Sequence, residues 1–349
     1  MNHVVSFSGG RTSAYLVYLI EQMRKSGEWT EPVEYIYMDT GAEHPKTYEF
    51  IKKCVEHFGI ELTCLQPDFN QPVGDGFESK VVSVNEINHD LKNGAFIGLM
   101  RKYEVPTVAK AFCTSRMKSD ACRKYCEDKY GKGNYITILG IRHDEPARLV
   151  GISDYRILKS AGVSDAYISE QFSRAYNGAF CENKLIKKSA YERKDKGFNY
   201  LATMSDFEKE DVLDFWAGMP FDLEIQEHLG NCVFCIKKSI NKIALAARDE
   251  PILAMEWQKA IENATDRLNQ PKEKSYGGLF PDKYVQHVQN GVMYRNHNSM
   301  ESIIAKFALH SREEIYDSIR SMKRKESGGC AESCESFAAD QLDMFDQGA

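Results

Sequence analysis

The sequence is short of the features that would place it in or across a membrane. No apolar run approaches the ~18 residues that a membrane-spanning helix needs. Met1-Asn2-His3 leads straight into an apolar stretch, leaving no room for a signal peptide's basic start and cleavage site. The expected location is cytoplasmic, with no membrane partner. There is no internal repeat, and no G-x-x-x-x-G-K-[ST], which excludes a Walker A loop. Lys and Arg are missing from residues 326–349, where Glu326, Glu332, Glu335, Asp340, Asp343 and Asp346 stand. With those acids set aside, the 45 Lys and Arg of the chain balance the remaining Asp and Glu. A neutral body argues against a strongly basic nucleic-acid clamp, although local patches remain at Lys184-Lys187-Lys188 and Lys237-Lys238.

What is present fits an ordered chain. Its 349 residues, 42% hydrophobic and 28% charged, suit about two domains or one large α/β domain with an elaboration. The first half alternates β-rich runs with amphipathic stretches. His3–Phe7, Val33–Met38, Glu61–Leu65 and Tyr135–Ile141 read as strands, and Thr12–Lys25, His44–Phe58 and Cys113–Tyr130 as helices. This alternation predicts a Rossmann-like parallel sheet with helices on both faces, and a Gly/Asn-rich loop near 70–95. Residues 205–325 read mainly as helices. The expected division is a nucleotide-binding domain over 1–225, a mainly helical region over 226–325, and a flexible acidic tail over 326–349.

Three segments carry the chemistry. Ser6-Phe7-Ser8-Gly9-Gly10-Arg11-Thr12-Ser13 follows a strand and opens a helix, so backbone N–H groups and the hydroxyls of Ser8, Thr12 and Ser13 face an anion. Asp39-Thr40-Gly41 and Gly140-Ile141-Arg142-His143-Asp144-Glu145-Pro146-Ala147-Arg148 stand at two further strand ends, where open α/β sheets bind ligands. An acid after the second strand suits a ribose hydroxyl, and paired arginines suit phosphate or sulfate.

On these segments the chain resembles the PP-loop ATP pyrophosphatases, in particular the branch similar to phosphoadenosine-phosphosulfate (PAPS) reductases. Ser8–Ser13 resembles the pyrophosphate loop. Asp39-Thr40-Gly41 with Pro45 and Thr47 resembles a D-T-G…P-x-T segment, and Gly140-Ile141-Arg142…Glu145…Arg148 a G-I-R-x-x-E-x-x-R segment. The resemblance implies ATP with Mg²⁺, split between its α- and β-phosphates to leave an adenylated acceptor. Ser6, Ser8, Gly9, Gly10, Arg11, Thr12, Ser13, Asp39, Thr40, Gly41 and Gly140 would hold the nucleotide. Arg142, Arg148 and Asp144 would act in catalysis.

The ten cysteines are expected as thiols, because the cytosol is reducing. Cys232-Val233-Phe234-Cys235 reads as a C-x-x-C at the mouth of a helix, and Cys113, Cys122 and Cys126 lie on another helical stretch. Four thiolates suit zinc or an iron–sulfur cluster. Cys113-Thr114-Ser115-Arg116-Met117-Lys118 and Gly230-Asn231-Cys232…Cys235 resemble C-T-x-x-x-K and G-N-C-x-x-C segments of DNA-phosphorothioation proteins, which implies a [4Fe–4S] cluster. Cys113, Cys122, Cys232 and Cys235 are its expected ligands, with Cys126 and Cys181 as open alternatives.

The E-C-G-[IL]-H segment of sulfonucleotide reductases is absent, and Cys330 and Cys334 stand on the tail. Gln341-Leu342-Asp343-Met344-Phe345 resembles the bacterial sliding-clamp-binding pentapeptide. The leading expectation is therefore an ATP-dependent sulfur-transfer enzyme modifying nucleic acid, DNA before tRNA, as in phosphorothioation. A cysteine desulfurase and a sliding clamp are the expected partners. A PAPS reductase, a tRNA thiolation enzyme and a non-catalytic nucleotide-binding subunit are the alternatives.

Overall fold

The computed structural model describes residues 1–72, 74–268 and 292–325. The tail cysteines and the Gln341–Phe345 peptide lie outside the described residues. Strand β1 (Asn2–Ser6) runs into α1 (Arg11–Ser26), followed by β2 (Val33–Met38), α2 (Pro45–Phe58) and β3 (Leu62–Asp68). Then come β4 (Glu78–Val82), α3 (Ala95–Lys102), α4 (Phe112–Thr114), a π-helical stretch (Ser115–Ser119), α5 (Asp120–Tyr130) and β5 (Tyr135–Leu139). Helices α6 (Pro146–Val150), α7 (Ile152–Ser160), α8 (Asp165–Tyr176) and α9 (Lys184–Asp195) lead to the short β6 (Phe198–Tyr200). The described chain ends in α10 (Lys209–Ala217), α11 (Ile240–Asp249), α12 (Pro251–Leu268), α13 (Met300–Lys306) and α14 (Arg312–Lys325).

The sheet order is β4-β3-β2-β1-β5-β6. All pairs are parallel except the β3–β4 edge. The expected Rossmann-like α/β architecture with a helical C-terminal region is what the chain adopts. Two strands went unread in the sequence. In β4 most side chains face solvent, so it carries no apolar alternation, and β6 has only three residues.

Alternate residues of the central strands serve two cores. Val5, Tyr35 and Tyr37 pack beneath α1, α2 and α10 with Leu16, Phe50 and Trp216. Val4, Ile36 and Met38 face the other way, into a cluster that runs through Phe96 and Phe172 to Trp257 and Ile315. The period of two in a strand makes this division automatic. The second cluster is continuous from the sheet into α11–α14. Among the described residues no helix is long and apolar enough to cross a membrane.

Candidate active site

The order in which strands are added reverses at β1: β2 and β3 extend to one side, β5 and β6 to the other. The crevice at the carboxyl ends of the strands beside such a reversal is where α/β sheets take ligands. Ser8–Ser13 fills that position. Gly9 has φ +78°, and a Cβ there would lie 2.9 Å from Thr47 Cγ2 and Ile51 Cδ1 of α2, so only glycine suits both torsion and space. Gly10 caps α1 without a side-chain bond, which leaves first-turn N–H groups for an anion. Ser13 Oγ organises the turn, accepting from Ser8 N at 3.1 Å and donating to the Gly10 carbonyl at 3.0 Å.

The loop after β5 closes on this turn. A Cβ on Gly140 would lie 3.2 Å from Ser13 Cα, so the two backbones meet there. Arg142 donates to Thr12 Oγ1 at 3.1 Å and to Asp144 Oδ1 at 2.7 Å. Arg148 donates to Glu145 Oε1 at 2.7 Å, and the Arg142 amide to Glu145 Oε2 at 3.0 Å. Burial opposes ionisation of Glu145, but Arg148 and Arg142 on either side hold its carboxyl below the ordinary range. Glu145 thus fixes both arginines. Arg11 is engaged elsewhere: its guanidinium forks onto Asp222 at 2.7 and 2.8 Å and also reaches the Leu223 carbonyl. Its part in the expected anion site is left to its backbone.

At the end of β2, Asp39 is fully buried and accepts from Gly41 N, Tyr48 OH and Gln66 Nε2 at 3.0–3.1 Å. Burial, with Glu43 beside it, pushes its carboxyl up to about 6. Glu43 is 2% exposed and was not singled out in the sequence. It accepts from Thr40 Oγ1, from Tyr48 OH at 3.2 Å and from Lys118 Nζ at 3.3 Å. The Cys232 thiol lies 3.8 Å from both Glu43 Oε1 and Thr40 Oγ1.

Cys113, Cys232 and Cys235 line one cavity with Thr114, Lys118 and Trp257. The buried Thr114 Oγ1 has no hydrogen-bond partner there. The cavity leaves about 20 Å³ for a guest, room for one water-sized group. Cys122 does not line it. Cys122 and Cys126 stand on the buried face of α5 and fall into the core. Contact with Cys126 and burial push the Cys122 thiol well up, away from ligand chemistry. Cys181 is buried in the same core and bonds the Asn183 carbonyl.

The C-x-x-C occupies a turn ahead of α11 rather than its first turn, which Ser239 caps. Lys238 fastens that turn, donating to the carbonyls of His228 and Val233 at 2.8 Å. Among the described residues no three His, Cys, Asp or Glu side chains are set to hold a metal ion. The donor chemistry would suit a cluster, but the chamber gathers three thiols without a fourth ligand beside them among the described residues. The same chamber suits a single sulfur atom.

Comparison with known proteins identifies relatives of the chain. Residues 2–153 match the phosphoadenosine phosphosulfate reductase domain family. The uncharacterized nin region protein ORF290 of Escherichia phage lambda is 38% identical over the whole of this chain and 99% of its own length. The uncharacterized protein MJ0066 of Methanocaldococcus jannaschii is 25% identical over 41% of this chain and 23% of its own length. No solved structure matches the chain significantly. By its full-length likeness to the phage protein the chain belongs to the ORF290 family, and its residues 2–153 form a PAPS reductase domain of the PP-loop superfamily.

Proposed function

We propose that this chain activates a nucleic-acid oxygen with ATP and replaces it with sulfur carried on the cavity thiols. The observation that carries the reading is Glu43, whose carboxylate bonds both Thr40 of the nucleotide-side segment and the Cys232 thiol. Nucleotide end and thiol chamber thereby share one wall.

The acceptor oxygen attacks the α-phosphorus and pyrophosphate leaves, its charge met by the N–H groups of α1 and by Arg142 and Arg148. Mg²⁺ accompanies the phosphates, and Asp144 holds Arg142 in place. A persulfide on one cavity cysteine then displaces AMP, so the acceptor exchanges its C–O or P–O bond for a bond to sulfur. A neighbouring thiol cleaves the resulting S–S bond, leaving sulfur on the acceptor and a protein disulfide for an external dithiol to reduce. A cysteine desulfurase is the fitting source of the persulfide, and DNA the favoured acceptor over tRNA.

The test incubates persulfide-loaded protein with ATP and either DNA or tRNA. Expected are pyrophosphate, AMP and a sulfur-containing acceptor, with Cys232→Ser keeping pyrophosphate release while losing sulfur incorporation. If no acceptor elicits pyrophosphate, the reading fails. The reductase family match supports a second reading, thiol reduction of a sulfonucleotide, and sulfite release from PAPS would establish it instead.

A further inference from the structure

The basic run Lys184-Lys187-Lys188 lies beyond the matched domain, on α9, in a body otherwise balanced in charge. Between residues 184 and 196 stand six Lys or Arg against two acids. The fold fixes which face they occupy. Ile186, Ser189, Ala190 and Arg193 are buried, while Lys184, Lys187, Lys188 and Tyr191 share the opposite, exposed face. Tyr191 is 50% exposed with Lys187 Nζ 5.8 Å from its ring centre. Phe180, in the loop ahead of the helix, is 73% exposed.

Helix stability does not account for this pattern. The first turn of α9 favours acids, yet it contains none and begins with Lys184. Lys184 and Lys188 are an i,i+4 like-charge pair, which repels. Glu192 offsets only Lys188, at 3.4 Å, and Asp195 sits at the far end. An anionic ligand would relieve both penalties. The helix is anchored to the catalytic side by its inner face: Ser189 donates to Asp154 at 3.0 Å, and Arg193 to the carbonyl of Leu149, next to Arg148.

We propose that the first two turns of α9, with Phe180, bind a single nucleic-acid strand. The three lysines take successive phosphates, and Tyr191 and Phe180 stack on unpaired bases. This rests on the nucleic-acid reading above and names the surface that presents the strand to the site.

The test measures binding of a labelled single-stranded DNA of about 20 nucleotides, longer than one such site covers, to the full chain across a salt series. Lys184→Gln/Lys187→Gln/Lys188→Gln is expected to weaken binding at least about tenfold and to flatten the slope of log K against log salt by about 2. Tyr191→Ala is expected to weaken binding roughly fivefold or more. ATP binding and melting temperature should hold or, for the triple variant, rise. Unchanged DNA binding by the triple variant overturns the proposal, as does no binding by the wild type. Loss of ATP binding in the same variant also overturns it, because the effect would then be general. The two readings separate cleanly: lysine-dependent DNA binding without pyrophosphate release sinks the sulfur-transfer reading alone. Pyrophosphate release that ignores the lysines sinks only this surface.

Discussion

At the scale of single residues, Asp39 combines full burial with a carboxylate neighbour, and its carboxyl is held at about 6. A carboxyl raised on folding stabilises the protein while protonated, so its contribution is complete below about 4 and is lost as pH rises through about 6. Between those limits the wild type should lose of order 2–3 kcal/mol relative to Asp39→Asn. Melting curves of both proteins from pH 4 to 7 check this, and parallel curves would refute it. Gly9 gives a second expectation. Gly9→Ala forces a Cβ against Thr47 and Ile51 and should lower stability by about 1–3 kcal/mol while impairing ATP binding. Calorimetry with and without ATP measures both. The Ser8–Ser13 turn was legible in the sequence because glycines and hydroxyls in consecutive positions have a local meaning. Glu43 was not, since its role depends on partners as distant as Lys118 and Cys232.

Among the elements, the π stretch Ser115–Ser119 interrupts the helical run that carries Cys113, Cys122 and Cys126. A uniform helix over Cys113–Tyr130 was a fair reading of the periodicity, but one widened turn changes the facing of everything before it by about 100°. Nine residues at about 100° each set Cys113 and Cys122 on different sides even of a uniform helix, and the widened turn alters the angle between them without putting both in the chamber. The widened turn itself absorbs one extra residue, so deleting the exposed Arg116 should restore ordinary helix and leave Cys113 facing Cys232 and Cys235. Short bifunctional thiol reagents should then cross-link Cys113 to the C-x-x-C in the wild type and in the deletion variant alike, with loss in the variant counting against the idea. Helices α1 and α2 and strands β1, β2 and β5 were readable because each has one strongly buried face or run. The edge strand β4 has little burial to leave a trace.

For the whole molecule, the C-terminal helices complete the core that the sheet begins. Trp257 of α12 stacks on Phe96 of α3 with ring centres 4.8 Å apart, and it also walls the thiol cavity. Trp257→Ala should cost about 3–5 kcal/mol and speed the reaction of the cavity cysteines with a thiol reagent; an unchanged thiol rate would mean that the wall lies elsewhere. The alternation of strands and helices announced the sheet, whereas the joining of residues 226–325 to its core has no local signature. This joining also sets a timetable. During synthesis Cys113 leaves the ribosome long before Cys232, and Trp257 follows later still, so a nascent chain has no chamber to charge. On the sulfur-transfer proposal, loading would therefore be an event in the life of the finished molecule, and fragments released early would be blank carriers.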